Sequence, residues 1–400
     1  MSTDVRSRSR ILGLDLLRAV AAWLVLLSHV AFWTGAGAEG VIGGLSVRGE
    51  LGVAVFFALS AFLLSTPFVR RGLGASVPWS PRTYLLRRAA RILPAYLLAL
   101  LAVVVAAALL GGAAADALDV PTVLTHLVVG QGWTGETFQA FTQTWSLTTE
   151  VTFYLVLPLL AAALAPLTKG AGPASSARRM LAALGALGVA GLTVQCLAGL
   201  LPGAQLAGVV ATSAPGHAAW FALGAAVTVV IEAERAGVPV SRRPGLEVLR
   251  TSPGTLVALA GVLWLIASTP IAGPRGLEPA SVPSALAAEV LYGLVAVCLL
   301  LAATSRGLSD LLTDSPSAGF VEWLGNISYA VFLWHVLVLQ VAFAVLDLEL
   351  FAAPFALTLL LVTVVSVGLA HLSWSLLERP VLALAHRRTR APGPQPAPRA

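Results

Sequence analysis

Arg18 and His29 stand eleven residues apart in one apolar run, Arg18-Ala19-Val20-Ala21-Ala22-Trp23-Leu24-Val25-Leu26-Leu27-Ser28-His29. An α-helix turns about 1100° over that interval, which brings the two side chains onto one face, about 16 Å apart along the axis. A neutral imidazole can take a proton from a hydroxyl. Ionisable groups inside an apolar helix are costly and point by default to function. The competing reading is a snorkelling arginine with a hydrogen-bonded packing histidine.

Three further stretches carry chemistry. In Arg87-Arg88-Ala89-Ala90-Arg91-Ile92-Leu93-Pro94 the arginines at 88 and 91 share a helical face, and two guanidinium forks suit phosphate oxygens. A basic topological anchor is the plainer reading. Glu150, in Trp145-Ser146-Leu147-Thr148-Thr149-Glu150, enters a span from the side opposite the basic loops. It is either an interfacial carboxylate within reach of water or a buried one that orients or charges His29. His335 falls in mid-span in Leu333-Trp334-His335 and is open to donor binding, acceptor binding or packing. His217 and His371 also lie in spans but have no neighbouring constellation, so they read as satisfied structural polars.

The elements that must position these residues are membrane helices. The chain of 400 residues is 58% hydrophobic and 11% charged, against roughly 25% charged in soluble domains. A water-soluble surface cannot be built from so few charges. About 20 apolar residues as helix cross a hydrocarbon core of about 30 Å. Ten stretches qualify, near 11–33, 50–69, 89–110, 145–167, 180–201, 205–231, 254–272, 284–305, 321–346 and 353–377. The apolar piece 121–130 is too short to span and reads as a loop or interfacial segment, together with the Gly- and Gln-rich stretch 130–144. The expected fold is all-α, a polytopic integral membrane protein of about ten transmembrane helices.

Charge placement tests this division. With the N-terminus inside, 22 of the 25 Lys and Arg fall on inner segments, only Arg48 and Arg275 fall outside, and Arg18 remains within the first span. That asymmetry predicts cytoplasmic termini and a multi-pass protein of the plasma membrane. It also accounts for the basic pI without nucleic acid. A cleavable signal peptide at the first span is a rival, but the run is long and interrupted by Arg18. Residues 1–10 are expected as a basic cytoplasmic segment and 381–400 as a disordered Pro/Ala/Arg-rich cytoplasmic tail. Pro380 is expected to limit the last helix. Cys196 and Cys298 give neither a disulfide framework nor metal spacing, and no metal is expected.

In order, these segments resemble the membrane-bound acyltransferase-3 family over about residues 11–380. The resemblance rests on Leu14-Asp15-Leu16-Leu17-Arg18-Ala19 with His29, on Gly52-Val53-Ala54-Val55-Phe56-Phe57 with Ser60-Ala61-Phe62, and on Arg88…Arg91-Ile92-Leu93-Pro94. It continues through Trp145-Ser146-Leu147…Glu150…Phe153-Tyr154, Gly325-Asn326-Ile327-Ser328-Tyr329…Trp334-His335 and Glu378-Arg379-Pro380. The resemblance implies transfer of an acyl group to sugars and related acceptors, a catalytic His29 paired with Arg18, and a role for Arg88 and Arg91 at an acyl-CoA donor. Two departures stand out: Ala61 where the family usually has Gly, and Ala54 where it often has a polar residue.

The expectation is therefore an O-acyltransferase with His29 as general base, aided by Arg18 and Glu150. Arg87, Arg88, Arg91, Ser60 and His335 would form the donor-binding set. The co-substrate would be acyl-CoA, by default acetyl-CoA. The acceptor would be a carbohydrate, a glycolipid or a glycosylated small molecule. A covalent acyl-imidazole is a second chemical route. A proton-coupled transporter or exporter is the first rival, and a catalytically dead scaffold the second. Acceptor identity, acyl length and oligomeric state are left open.

Overall fold

The computed structural model describes residues 11–238 and 252–389, and no strand occurs among them. The expected basic segment 1–10, Arg242, Arg243, Arg250 and the tail from residue 390 lie outside the described residues. Ten long helices form the bundle: α1 (Leu12–Trp33), α2 (Gly52–Gly72), α3 (Pro81–Leu110), α4 (Trp145–Leu164), α5 (Pro173–Ala198), α6 (Ala218–Arg235), α7 (Pro253–Ala267), α8 (Val282–Thr304), α9 (Ala318–Val345) and α10 (Phe355–Ser373). Helix starts follow local chemistry. Ser80 accepts a hydrogen bond from the Thr83 amide at 3.4 Å, and Pro81 opens α3 where its missing N–H costs nothing.

Eight of these helices, among the described residues, are long and apolar enough to cross a membrane, two fewer than expected. The stretch 205–231 breaks into Ala204–Thr212 and α6. Pro215 has no amide to continue a helix, and Ser213 turns the chain by accepting from the Gly216 amide at 3.1 Å. α6 also ends in Glu232, Glu234 and Arg235. The stretch 254–272 stops at Ala267, and its 15 residues reach only about 22 Å. The segment 121–130 contains a short helix, Val120–Leu127, whose first turn is capped by Asp119 accepting from the Thr122 amide at 2.9 Å.

The last helix does not stop at Pro380. After α10 the chain makes a π-turn, Trp374–Glu378, and continues as Arg379–Arg388. Proline is tolerated in a first turn, and the wider π-turn separates it from the ladder before it. The first eight residues of the expected disordered tail are thus helical.

α1 packs against α9, α2 against α6, α6 against α5, and α7 against α8. Small residues allow the close crossings, as is usual where no hydrophobic force separates helix from lipid. A Cβ at Gly325 on α9 would fall 2.8 Å from Cα of Asp15 on α1. The buried core runs through α1, α2, α8 and α9. The loops assigned to one side by the charge count gather at one end of the bundle, around a cavity. The opposite, basic end is tied by Arg70 to Glu232 at 2.7 Å and by Arg87 to Thr389 at 3.2 Å.

Candidate active site

His29 sits in the last part of α1, one turn after Val25, and His335 comes from the middle of α9. His29 Nδ1 lies 2.9 Å from the Val25 carbonyl and 3.3 Å from Nε2 of His335. His335 Nδ1 in turn lies 3.2 Å from the Val331 carbonyl. A carbonyl only accepts, so each Nδ1 carries the proton, and His335 Nε2 is left with a lone pair. The His29 Nδ1–H is then shared between the Val25 oxygen and His335 Nε2. This leaves His29 Nε2 unprotonated. The two rings meet edge to face, 5.0 Å between centroids, with His335 fully buried behind His29.

His29 lines a cavity of about 600 Å³. Its walls include Phe32 and Trp33 from α1, Trp145 from α4, His217 and Trp220, and Tyr292 from α8. Glu50 lies on the same wall and within electrostatic reach of His29. It accepts from Tyr292 Oη at 2.6 Å and from Arg48 Nη1 at 3.3 Å. Gln143 joins the cavity to α9, donating to the carbonyls of Phe332 at 3.3 Å and Leu333 at 3.0 Å, just before His335. Arg48 and Arg275 both brace the mouth. Arg48 donates to the carbonyl of Gly273 at 2.6 Å, and Arg275 to those of Gly40 at 2.9 Å and Ser268 at 2.6 Å.

Glu150 is not hydrogen-bonded to His29. Its partners are the hydroxyls of Ser60 on α2 and Tyr154 on α4, the latter at 2.6 Å. Arg88 and Arg91 act on it electrostatically. The reason is depth: Trp145 reaches the cavity, but Glu150 lies about 7.5 Å farther along α4. Ser60 and Glu150 therefore belong with the arginine pair rather than with the histidines. Arg91 is held between the rings of Tyr329 and Trp374, each 5.8 Å away, and lies 4.0 Å from the fully buried Glu378. Arg88 has no hydrogen-bond partner among the described residues, and its fork is available for an anion. Arg18 is paired with Asp15 at 3.0 Å, three turns from His29.

Among the described residues, no cluster of His, Cys, Asp and Glu is placed to hold a metal ion. His371 accepts from Trp323 Nε1 at 3.1 Å, a structural contact as expected. His217 is likewise satisfied as expected, though by a partner that the sequence did not mark. It lies 3.0 Å from Glu289, an acid inside α8 that the sequence reading passed over. An unpaired-looking glutamate in the run Ala287-Ala288-Glu289-Val290 was the available signal. Glu50 and Gln143 carried none, because each sits in a polar connection.

Residues 11–374 match a protein-family model described as an acyltransferase domain. Among curated proteins, Nodulation protein 10 of Rhizobium leguminosarum bv. viciae is 29% identical over a stretch covering 36% of this chain and 43% of that protein. The match thus spans less than half the length of that relative. No solved structure matches the chain.

Proposed function

The chain belongs to the acyltransferase-3 family, and on that footing we propose that it moves an acyl group, by default acetyl, from acyl-CoA to a hydroxyl of a carbohydrate-bearing acceptor. The observation that carries the reading is the hydrogen-bonding of His29, whose Nδ1–H is held by Val25 and His335 so that Nε2 is left as the base at a solvent-reached cavity. The acceptor hydroxyl gives its proton to Nε2 as its oxygen attacks the thioester carbonyl. The C–S bond breaks, and the departing thiolate takes the proton back from the imidazolium. Fixing the tautomer through Nδ1 matches the way a carboxylate orients the base in the Ser-His-Asp arrangement, although here a carbonyl and a second imidazole do it.

Donor and acceptor approach from opposite ends. The phosphates of CoA meet the basic end at Arg87, Arg88 and Arg91, where bidentate forks suit them. Glu150, Ser60 and Tyr154 lie between that pair and the interior. The acceptor enters the cavity bounded by Arg48, Glu50 and Arg275. With the basic end cytoplasmic, as the charge asymmetry implies, acyl groups made in the cytoplasm are delivered to acceptors at the outer face of the plasma membrane.

Purified protein supplied with radiolabelled acetyl-CoA and glycan acceptors tests this. His29→Ala inserts normally and transfers no label. Retained turnover in that variant sinks the assignment, and proton-dependent uptake of an acceptor without transfer supports an exporter instead.

A further inference from the structure

A second imidazole faces the cavity of His29. His217 immediately precedes α6, placed there by the Pro215–Gly216 break. Its Nδ1 lies 3.0 Å from Oε2 of Glu289 on α8, and its ring stacks on Trp220 with centroids 4.0 Å apart. Trp220 Nε1 donates to the backbone oxygen of the same Glu289 at 2.8 Å. One residue of α8 thus fixes both rings. Glu289 is 4% exposed, and its Oε1 is enclosed with no donor among the described residues. The carboxylate depends on His217 for its hydrogen bond.

That dependence sets the state of the imidazole. With Nδ1 directed at Glu289, Nε2 has no hydrogen-bond partner among the described residues and is not among the enclosed polar atoms. It therefore presents to the cavity that His217 lines. A buried carboxylate with one satisfied oxygen is a poor structural brace, since well-packed apolar residues serve as well or better. Its arrangement is accounted for by what it does to Nε2.

The surroundings narrow the ligand. Trp145 lies 5.6 Å from the His217 ring, centroid to centroid, and Trp220 stacks on its face. Trp220 is buried against His217, so the aromatic surface open to the cavity is that of Trp145. A flat ring beside planar polar groups, here His217, Gln143 and Glu50, suits a molecule with one C–H face and a rim of hydroxyls. The cavity volume is in the range of small-molecule sites. We infer that His217, oriented by Glu289 and backed by the stacked Trp220, and the indole of Trp145 form the acceptor subsite, which binds a sugar ring with one hydroxyl hydrogen-bonded to His217 Nε2. The inference rests on the acyl-transfer reading above.

The test uses full-length protein in nanodiscs, acetyl-CoA as donor, and the methyl glycosides of glucose, galactose, rhamnose and N-acetylglucosamine as acceptors. Release of CoA thiol without acceptor is measured in parallel, with thermal melting of every variant. His217→Ala raises the acceptor KM by about tenfold, the scale of one lost hydrogen bond, with donor KM unchanged. His217→Gln, which keeps a polar group at that reach, recovers part of the loss, as a merely structural role would not require. An unchanged acceptor KM in His217→Ala, or donor and acceptor KM rising together, overturns the subsite while the acyl-transfer reading stands. Wild-type protein that releases thiol but acetylates none of the glycosides overturns the sugar assignment alone. Neither thiol release nor transfer overturns both.

Discussion

Nε2 of His335 lies 3.3 Å from Nδ1 of His29, across the interface of α1 and α9. The contact joins residues 306 positions apart and gives the His29 ring a fixed orientation, the one the proposed base requires. It is closed to solvent on the His335 side, while His29 faces the cavity. In the proposed mechanism His335 therefore acts on His29, as a positioning residue rather than a donor-binding one.

His335→Phe keeps the ring and loses the nitrogen. The Val25 carbonyl still holds His29 Nδ1, so the base is loosened and not lost. The expected result is a fall in kcat of between tenfold and about 100-fold, less than the full contribution of a general base. Steady-state kinetics with the donor and the acceptor varied in turn check it. A rise in donor KM with kcat intact would return His335 to donor binding.

Arg88→Ala weakens the donor by roughly 10–100-fold in KM, the worth of a charge-assisted hydrogen bond. Arg88→Lys recovers only part, because an ammonium lacks the fork. Donor titration of both variants reads this directly. Unchanged donor KM in Arg88→Ala would reduce the cluster to a topological anchor.

Glu150→Gln removes a negative charge beside Arg88 and Arg91 while keeping a polar group for Ser60 and Tyr154. The anionic donor is then attracted more strongly, and donor KM falls by a few-fold. The pH dependence of kcat, set by His29, does not move. A shifted pH profile with constant donor KM would place Glu150 in the service of His29 after all.

His126 lies in the short helix Val120–Leu127, outside the spans, with its ring stacked on Phe138 at 4.4 Å. Burial holds its pKa below the ordinary value of 6.5. The unfolded chain then takes up a proton that the folded protein refuses as pH falls below 6.5, so stability is complete above that value and declines beneath it. Melting temperatures across that range fall more steeply for wild type than for His126→Asn. Parallel curves would show that the site does not titrate on unfolding.

Much of this was legible in residues. The apolar runs marked the helices, because every backbone polar group in lipid must be satisfied within its own segment. The spacing of Arg88 and Arg91 placed two arginines on one helical face, and His29 was marked by its cost inside a span. Two of the ten stretches fold as helices shorter than expected, because hydropathy averages across Pro215 and Gly216 and does not sense a helix ending at Ala267. The pairing of Glu150 with His29 failed for a related reason. Both were assigned to the same half of the membrane, but neither depth nor rotation of α4 against α1 follows from one-dimensional pattern.

Composition, periodicity and charge asymmetry by themselves determined an all-helical membrane protein, and its motifs indicated its family. They act through local terms, hydrogen bonding within each helix and transfer of each side chain into lipid, which need no knowledge of neighbours. Which ionisable groups meet depends on how helices rotate and cross. Close approach at Gly325 and Asp15 seats α9 on α1 and brings His335 to His29. The break before α6 turns His217 toward Glu289, and the depth of α4 sends Glu150 to the arginines. Those partnerships join distant parts of the chain, and only packing in three dimensions selects among them.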